Sequence, residues 1–203
     1  MQRIVYLQQI GDFDEKILLR LKNQLISEFK EFNLSFKIIK DEIPLEESDH
    51  DSIRKQYNAT SILNKIAYHL QEKQLFRILG ILDEDIFSGS LNFVFGLAMN
   101  PNVKILSFSI AALISVTRLR EDFYRRPKNN ALFELRVLKE AIHELGHTFG
   151  LKHCNNYCIM KFSNSLRDTD NKPHEFCESC QNKLKSYLNH LEILFSKRSI
   201  NLS

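Results

Sequence analysis

The stretch from residue 143 to residue 180 constrains this chain most, because it carries two patterns of metal-binding side chains in succession. The first pattern is H-E-x-x-H-x-x-G-x-x-H, formed by His143, Glu144, His147, Gly150 and His153. The second is C-x-x-x-C followed by C-x-x-C. At ordinary composition the first pattern would arise by chance in about one chain in a hundred thousand. We therefore interpret it as a site and not as a helix with unrelated histidines.

The spacing within the first pattern predicts a catalytic zinc site. Helical residues four apart lie on one face, so His143 and His147 can offer ring nitrogens to a single ion. Glu144 is rotated by about 100° and can lean over a water molecule held by that ion. Gly150 can end the helix in a left-handed turn, after which His153 supplies a third nitrogen. Three ligands leave one position open for water, whose pKa zinc lowers to about 7.

The residues around this pattern predict a helix that packs on one side and presents its ligands on the other. Apolar residues recur at the spacing of a buried helical stripe. They are Leu135, Leu138, Ile142, Leu145 and Phe149. The candidate ligands and Glu144 point roughly to the opposite side of the same helix.

The second pattern contains all the cysteines of the chain: Cys154, Cys158, Cys177 and Cys180. A secreted disulfide framework would usually be spread more widely. In a reducing compartment, paired cysteines at these spacings indicate a structural zinc held by four thiolates. Two disulfides or reduced core thiols are the alternative. Because His153 and Cys154 are adjacent, the structural site would also hold the third catalytic ligand in place.

Together the two patterns resemble the archaemetzincin family of metzincin zinc metalloproteases. The metzincin signature ends in a methionine turn, and Met160 stands seven residues after His153, as such a turn would. A metzincin motif that runs directly into four cysteines looks like the archaemetzincins in particular. The gaps from Cys154 to Cys158 and from Met160 to Cys177 are each one residue shorter than in the family pattern.

The resemblance implies a zinc metallopeptidase with two zinc ions per chain, one catalytic and one structural. His143, His147 and His153 would bind the catalytic ion. Glu144 would act as general base for the zinc-bound water and then return the proton to the leaving amine. We expect a peptide or protein substrate, a monomer, and no nucleic-acid or membrane partner.

Three alternatives compete with the hypothesis of an archaemetzincin-type zinc metallopeptidase. A thermolysin-like enzyme would use a distant glutamate as third ligand, but Gly150 and His153 argue against it. A catalytically silent, zinc-stabilised peptide-binding module of the same fold would have lost catalysis, but Glu144 is intact. A four-cysteine zinc ribbon that binds nucleic acid would need basic and aromatic neighbours, whereas residues 163–180 are mixed in charge.

The fold class that we predict is α/β (α+β) and metzincin-like. Strand patterns at 3–9, 36–43 and 76–82 alternate with helical stripes, which implies parallel strands joined by crossover helices. Further helices are expected from about residue 131 and over 184–194. The whole would be a mixed, mostly parallel twisted sheet with one antiparallel edge strand, a zinc-binding active-site helix and a small zinc-stapled C-terminal half.

Residues 91–99 are predicted to form the antiparallel strand, because a tight turn at 100–102 would join them to a strand over 103–112. In metzincins such a strand borders the cleft above the metal. The resemblance therefore implies that substrate lies along Phe93, Val94, Phe95, Gly96 and Leu97. Phe93, Phe95 and Leu97 would share the side that faces the core. The missing side chain of Gly96 would ease close approach.

Length and composition indicate one globular domain, with 203 residues of which 43% are hydrophobic and 26% charged. We expect a single catalytic domain over 1–203, with an upper subdomain at 1–150 and a lower one at 151–203. The net charge of +3 is too small to indicate nucleic-acid binding. No apolar run reaches the roughly 18 residues that span a bilayer. The first residues lack a signal-peptide pattern, so we expect a cytoplasmic protein.

Overall fold

The computed structural model describes residues 3–101 and 109–200, and its elements alternate between strands and helices. They are β1 (Ile4–Ile10), α1 (Lys16–Glu28), β2 (Ser35–Ile43), β3 (His50–Asp51), β4 (Gln56–Asn58), α2 (Ala59–Glu72), β5 (Arg77–Leu82), β6 (Ile86–Phe87), β7 (Gly96–Ala98), β8 (Ile110–Ser115), α3 (Asn130–Thr148), α4 (Leu166–Asn171) and α5 (Glu178–Ile200). The alternation places helices on both faces of a central sheet.

The main sheet has five strands in the order β2-β1-β5-β8-β7. Strand β1 runs parallel to β2 and β5, and β5 runs parallel to β8. Strand β7 runs antiparallel to β8 and lies at the edge. This confirms the predicted mixed, mostly parallel sheet. A second, three-stranded sheet of β3, β4 and β6 was not predicted, because its strands are only two or three residues long.

Helices cover the sheet on both faces because alternate side chains of its strands point to opposite sides. Leu79 and Ile81 of β5 pack into the same cluster as α1 and α3. Ile78 and Leu82 pack with α2 on the other face. Every residue of β5 and β8 is buried, as expected for strands sandwiched between helices. Helix α3 therefore lies directly under the sheet, close to β7 and β8.

The prediction for the edge strand was correct in direction but wrong in extent. Only Gly96–Ala98 are in strand conformation, and residues 91–95 are irregular. Ala98 pairs with Ala112, so residues 99–111 separate the paired positions and a tight turn at 100–102 cannot join them. Residues 110–112 belong to β8 as predicted, whereas 102–108 lie outside the described residues.

The predicted side-chain pattern of this segment was correct for Phe93 and Phe95 but wrong for Leu97. Phe95 is buried in the cluster that contains α1 and α3, and Phe93 packs against the same cluster. Leu97 instead packs against the α2 cluster on the opposite face. Because residues 91–95 are not extended, the two-residue period does not carry across from Phe95 to Leu97.

The C-terminal part of the chain joins the same core as the sheet. Leu184, Leu188 and Leu191 of α5 belong to the cluster that holds α1 and α3. Phe176 packs edge-on against Phe29, with ring centroids 5.9 Å apart. Helix α5 begins six residues before the predicted start, and α4 was not predicted. No helix in the described ranges has the length and apolarity needed to cross a membrane.

We predict that Phe29→Ala lowers the free energy of unfolding by about 3–5 kcal/mol. The Phe29 ring is fully buried and contacts the rings of Phe36, Phe149 and Phe176, so its removal leaves a cavity between α1, α3 and the C-terminal part. Leu19→Ala in α1 is the control, because Leu19 is half exposed and should change stability by less than about 1 kcal/mol. Urea titration of both variants checks the difference. Equal losses would show that Phe29 is not a central packing residue.

Candidate active site

Helix α3 is capped by a side-chain oxygen at its N-terminus and by backbone hydrogen bonds at its C-terminus. Asn129 accepts a hydrogen bond from the Leu132 backbone N–H at 3.0 Å, which caps the N-terminus. At the C-terminus, Gly150 has a positive φ of 80°. The Leu151 N–H donates back to the Gly146 carbonyl at 3.1 Å, the bond of a Schellman motif. The predicted left-handed turn at Gly150 is therefore present, and it directs the following residues back toward the helix.

The three histidines of the first pattern converge on one point. One ring nitrogen from each of His143, His147 and His153 lies within 4.8 Å of the others. The Nε2 atoms of His143 and His147 are 3.2 Å apart. A tetrahedral ion with bonds of about 2.0–2.1 Å separates its nitrogen ligands by about 3.4 Å. The triad thus has the dimensions of a zinc site, and His153 joins the two helical histidines as the spacing predicts.

Two backbone carbonyls determine which ring nitrogen of His143 and of His147 is free to bind a metal ion. His143 Nδ1 lies 2.9 Å from the Ile159 carbonyl oxygen, and His147 Nδ1 lies 2.8 Å from that of Leu151. A carbonyl oxygen only accepts, so each Nδ1 must carry the proton and donate. Each Nε2 then keeps a free lone pair directed at the common point. Such bonds to the non-ligating nitrogen are typical of metal-binding histidines.

The protonation states of the triad favour a cation. Burial lowers the pKa of His143 well below its ordinary value, and the nearby positive charge of Lys172 acts in the same direction. Burial also lowers the pKa of His147 and of His153. All three rings are therefore neutral near pH 7, which is the form that binds metal.

The carboxylate of Glu144 lies beneath Gly96 of β7. A Cβ atom built on Gly96 would stand 2.7 Å from Glu144 Oε1 and 2.6 Å from its Cγ, closer than any side chain tolerates. Glu144 is almost completely buried. Burial, with a smaller contribution from the Glu140 carboxylate, raises the pKa of Glu144 well above its ordinary value. The glycine predicted to ease close approach thus also makes room for this carboxylate.

His153 is the exposed member of the triad, and Phe162 supports it. The two rings are 4.8 Å apart, and both residues line the cleft. The predicted methionine turn lies just before Phe162. Met160 is fully buried, and a Cβ on Gly146 would meet its sulfur at 2.4 Å, so Met160 packs directly under α3. This leaves Met160 close to the ligands without a polar contact to them.

The four cysteines form a second cluster on the C-terminal side of the triad. Their sulfur atoms all lie within 4.8 Å of one another, and none forms a disulfide. Cys154 Sγ and Cys177 Sγ are 3.8 Å apart, the separation of about 3.8 Å that a tetrahedral ion with bonds of about 2.3 Å imposes. The Met160 and Cys177 N–H groups donate to Cys158 Sγ at 3.4 and 3.3 Å. The cluster has the donor set of a closed, structural zinc site.

A cleft of about 510 Å³ opens above the triad. Residues 91–98 form one wall and Phe162, Ser163 and Asn164 form part of the other. Its lining includes all five residues of the predicted substrate segment: Phe93, Val94, Phe95, Gly96 and Leu97. Sequence reasoning missed Glu140, Ser163 and Lys172, which line the same cleft. Glu140 could have been predicted to line the cleft, because it lies one helical turn before Glu144. No feature of the sequence around Lys172 indicates its position.

A histidine triad beside a buried glutamate on a helix packed against an α/β sheet is the site of a zinc metallopeptidase. Comparisons with known proteins identify the family. The model of peptidase family M54 matches residues 1–186. An archaemetzincin from Pyrococcus furiosus is 36% identical over 191 residues, which cover 93% of this chain and 95% of that protein.

Two solved structures support the same assignment. The archaemetzincin of Archaeoglobus fulgidus, in complex with malonate, is 33% identical with a TM-score of 0.68, covering 89% of this chain and 99% of the other. The archaemetzincin of Methanopyrus kandleri is 30% identical with a TM-score of 0.73, covering 93% and 97%. The chain belongs to the archaemetzincin family of zinc metallopeptidases. The third histidine at residue 153 accounts for the triad without the distant glutamate of a thermolysin-like site.

We predict two zinc ions per chain that differ in lability. The four-thiolate cluster is closed, whereas the histidine cluster opens into the cleft, so mild chelation should remove the histidine-bound ion first. Metal content by mass spectrometry during chelation checks the order. A single zinc per folded chain would contradict the prediction.

The two sites should also respond differently to substitution. Cys177→Ser should lower the melting temperature and the zinc content together, because the C-terminal loops depend on that cluster. His147→Ala should lose one zinc and the activity with a much smaller change in melting temperature. Equal thermal destabilisation of the two variants would argue against separate structural and catalytic sites.

We predict that Gly96→Ala lowers kcat by about tenfold or more while both zinc ions remain bound. The new methyl group must displace the Glu144 carboxylate, and small displacements of a reacting group are costly. Steady-state kinetics with metal analysis and thermal unfolding of the same sample provide the test. Unchanged kcat in a fully folded variant would show that the position of Glu144 is not critical.

Proposed function

We propose that this archaemetzincin hydrolyses peptide bonds with His143, His147 and His153 as ligands of a catalytic zinc and Glu144 as general base. The observation that carries the proposal is the pair of Nδ1–H bonds to backbone carbonyls, which leaves two Nε2 lone pairs beside the buried Glu144 carboxylate. Family membership supports peptides as the substrate class.

The donor set fits zinc on chemical grounds. Three neutral imidazoles bind zinc well, and three protein ligands leave a coordination position for chemistry. When bound, zinc activates a water molecule and polarises the scissile carbonyl. Cys154, Cys158, Cys177 and Cys180 would hold the second, structural zinc.

Glu144 performs the proton transfers in this proposal. Its carboxylate accepts a proton from the attacking water and later donates it to the leaving amine. Gly96 and the helix hold the carboxylate in a narrow space at the cleft floor, so few rotamers are open to it. Its burial excludes bulk water, which strengthens its electrostatic interaction with charge that develops above the triad.

Substrate would bind as an additional strand along β7. Ser115 N–H donates to the Phe95 carbonyl at 2.8 Å, and Met99 N–H donates to the Ala111 carbonyl at 3.0 Å. Those groups therefore face β8. By the alternation of an antiparallel ladder, the backbone groups of Gly96 and Ala98 face away from β8. They are available to an extended peptide, which would run antiparallel to β7 with its scissile carbonyl over the triad.

We predict that Glu144→Gln retains zinc and loses about 10²–10⁴-fold in kcat. Glutamine keeps the shape of the side chain under Gly96 but cannot accept the proton. Zinc content and peptide cleavage are measured on the same preparation. Full activity in the zinc-loaded variant would remove Glu144 from the mechanism. A parent protein that binds peptides and cleaves none would favour the silent binding module.

A second prediction concerns the edge of β7. Ala98→Pro removes an N–H that faces away from β8, so peptide affinity should fall by about 2- to 13-fold, the loss of one hydrogen bond. Ala98→Val keeps the N–H and serves as the control. Both are measured by titration of peptide into zinc-loaded protein that also carries Glu144→Gln. If the two variants bind equally and both remain folded, the peptide does not use this edge.

A further inference from the structure

A buried ion pair lies in the cleft outside both metal clusters. Lys172 Nζ is 3.0 Å from Glu140 Oε1, and the two side chains are only 1% and 4% exposed. Both residues line the cleft together with Glu144. Neither residue belongs to the histidine or cysteine pattern. The pair therefore places charge beside the proposed catalytic groups without contributing a metal ligand.

Neighbouring residues hold both members of the Lys172–Glu140 pair by hydrogen bonds. The Thr169 hydroxyl donates to Glu140 Oε1 at 3.1 Å. The backbone N–H of Lys172 donates to the Asp168 carbonyl at 3.1 Å, which fixes Lys172 at the end of α4. Glu140 itself is fixed by α3. These contacts fix the Glu140 carboxylate and the backbone of Lys172, and the ion pair places the ammonium group beside that carboxylate.

The ammonium group of Lys172 has unused hydrogen-bonding capacity. It carries three N–H donors, and among the described residues its polar contact is with one carboxylate oxygen, Glu140 Oε1 at 3.0 Å. No further acceptor within the described residues satisfies Nζ, and the buried hydroxyl of Ser163 in the same cleft has no partner either. A buried donor left unsatisfied is costly, so a ligand that brings acceptor oxygens is favoured there.

The direction of β7 indicates on which side of the cleaved bond the Lys172–Glu140 pair lies. Gly96 lies over Glu144, and a Cβ on Gly150 would stand 3.5 Å from Pro101. Strand β7 therefore runs along α3 in the same direction. A peptide antiparallel to β7, as in the proposed function, runs the opposite way, so its C-terminal side extends toward Glu140. Glu140 precedes Glu144 by about 6 Å along the helix, within side-chain reach of the first residue after the scissile bond.

We propose that Lys172 determines specificity by binding a carboxylate on the C-terminal side of the scissile bond. The carboxylate is either an acidic side chain on the first residue after that bond or the free C-terminus of a substrate that ends at that residue. With zinc bound to three neutral imidazoles, the charges of Lys172, Glu140 and Glu144 leave one net positive charge at the cleft floor. One substrate carboxylate neutralises it. This inference rests on the proposed function, because it uses the antiparallel pose.

Peptide binding tests the proposal separately from catalysis. Zinc-loaded Glu144→Gln protein is titrated with otherwise identical, C-terminally amidated peptides that carry Glu, Gln or Leu immediately after the scissile position. Glu should bind about tenfold or more tightly than Gln, the difference expected for a charge-assisted bond in a buried site. The difference should persist at high salt because the pair is buried. A further peptide has Leu immediately after the scissile position and ends there in a free carboxylate. Tighter binding of this peptide than of the amidated Leu peptide would identify the free C-terminus as the bound carboxylate.

Substitution of Lys172 should abolish the preference. Lys172→Met should bind Glu and Gln peptides equally, whereas Lys161→Met, an equal charge change at an exposed position nearby, should keep the preference. If Lys172→Met does not fold, the neutral combination Glu140→Gln with Lys172→Met replaces it. Equal binding of all peptides by the parent protein, with cleavage retained, would overturn the role of Lys172 and leave the proposed function intact. A preference that survives in the Lys172 variants would also overturn it.

Discussion

The burial of polar side chains along α3 is the constraint on which the rest of the structure depends. Every residue from Arg136 to Gly146 is buried, so this helix has no solvent face in that stretch. Charged and polar groups there need partners. The segment 159–172 supplies four of these partnerships: Arg136 with Asp170, Lys139 with the carbonyls of Thr169 and Asp170, Glu140 with Thr169 and Lys172, and His143 with the Ile159 carbonyl. Segment 159–172 thus supplies hydrogen-bond and charge partners for the buried polar side chains of α3.

The two metal clusters are mechanically linked through the same segment. His153 and Cys154 are consecutive, and the Cys154 N–H donates to the Met160 carbonyl at 2.9 Å. The Ile159 carbonyl that orients His143 lies between Cys158 and Met160. The cysteine cluster therefore positions His153 through the adjacent Cys154, and His143 through the hydrogen bond to the Ile159 carbonyl. In the proposed mechanism, the structural site would thus add rigidity to the ligands of the catalytic zinc.

Sequence patterns predicted the parts of the fold that depend on local periodicity or fixed spacing. The parallel strands, α3, the histidine triad and the four-cysteine cluster all follow from residues close together in the chain. Residues 91–95 were mistaken for strand because aromatic residues suit both a sheet and a packed loop. The Glu140–Lys172 pair could not be predicted, since it joins positions 32 residues apart through tertiary packing. Helix α4 has only 6 residues, too few to show a helical periodicity of apolar residues in the sequence.

The environment of Glu144 ties its ionisation to the charges around it. Burial and the Glu140 carboxylate raise its pKa, and Lys172 lowers it. The ion pair of Lys172 with Glu140 therefore offsets much of the repulsion that Glu140 alone would impose. A divalent cation on the neighbouring imidazoles adds further positive charge and favours the carboxylate over the acid. In the proposed mechanism, metal loading and the lysine–glutamate pair would therefore both favour the ionised form of Glu144 that accepts a proton.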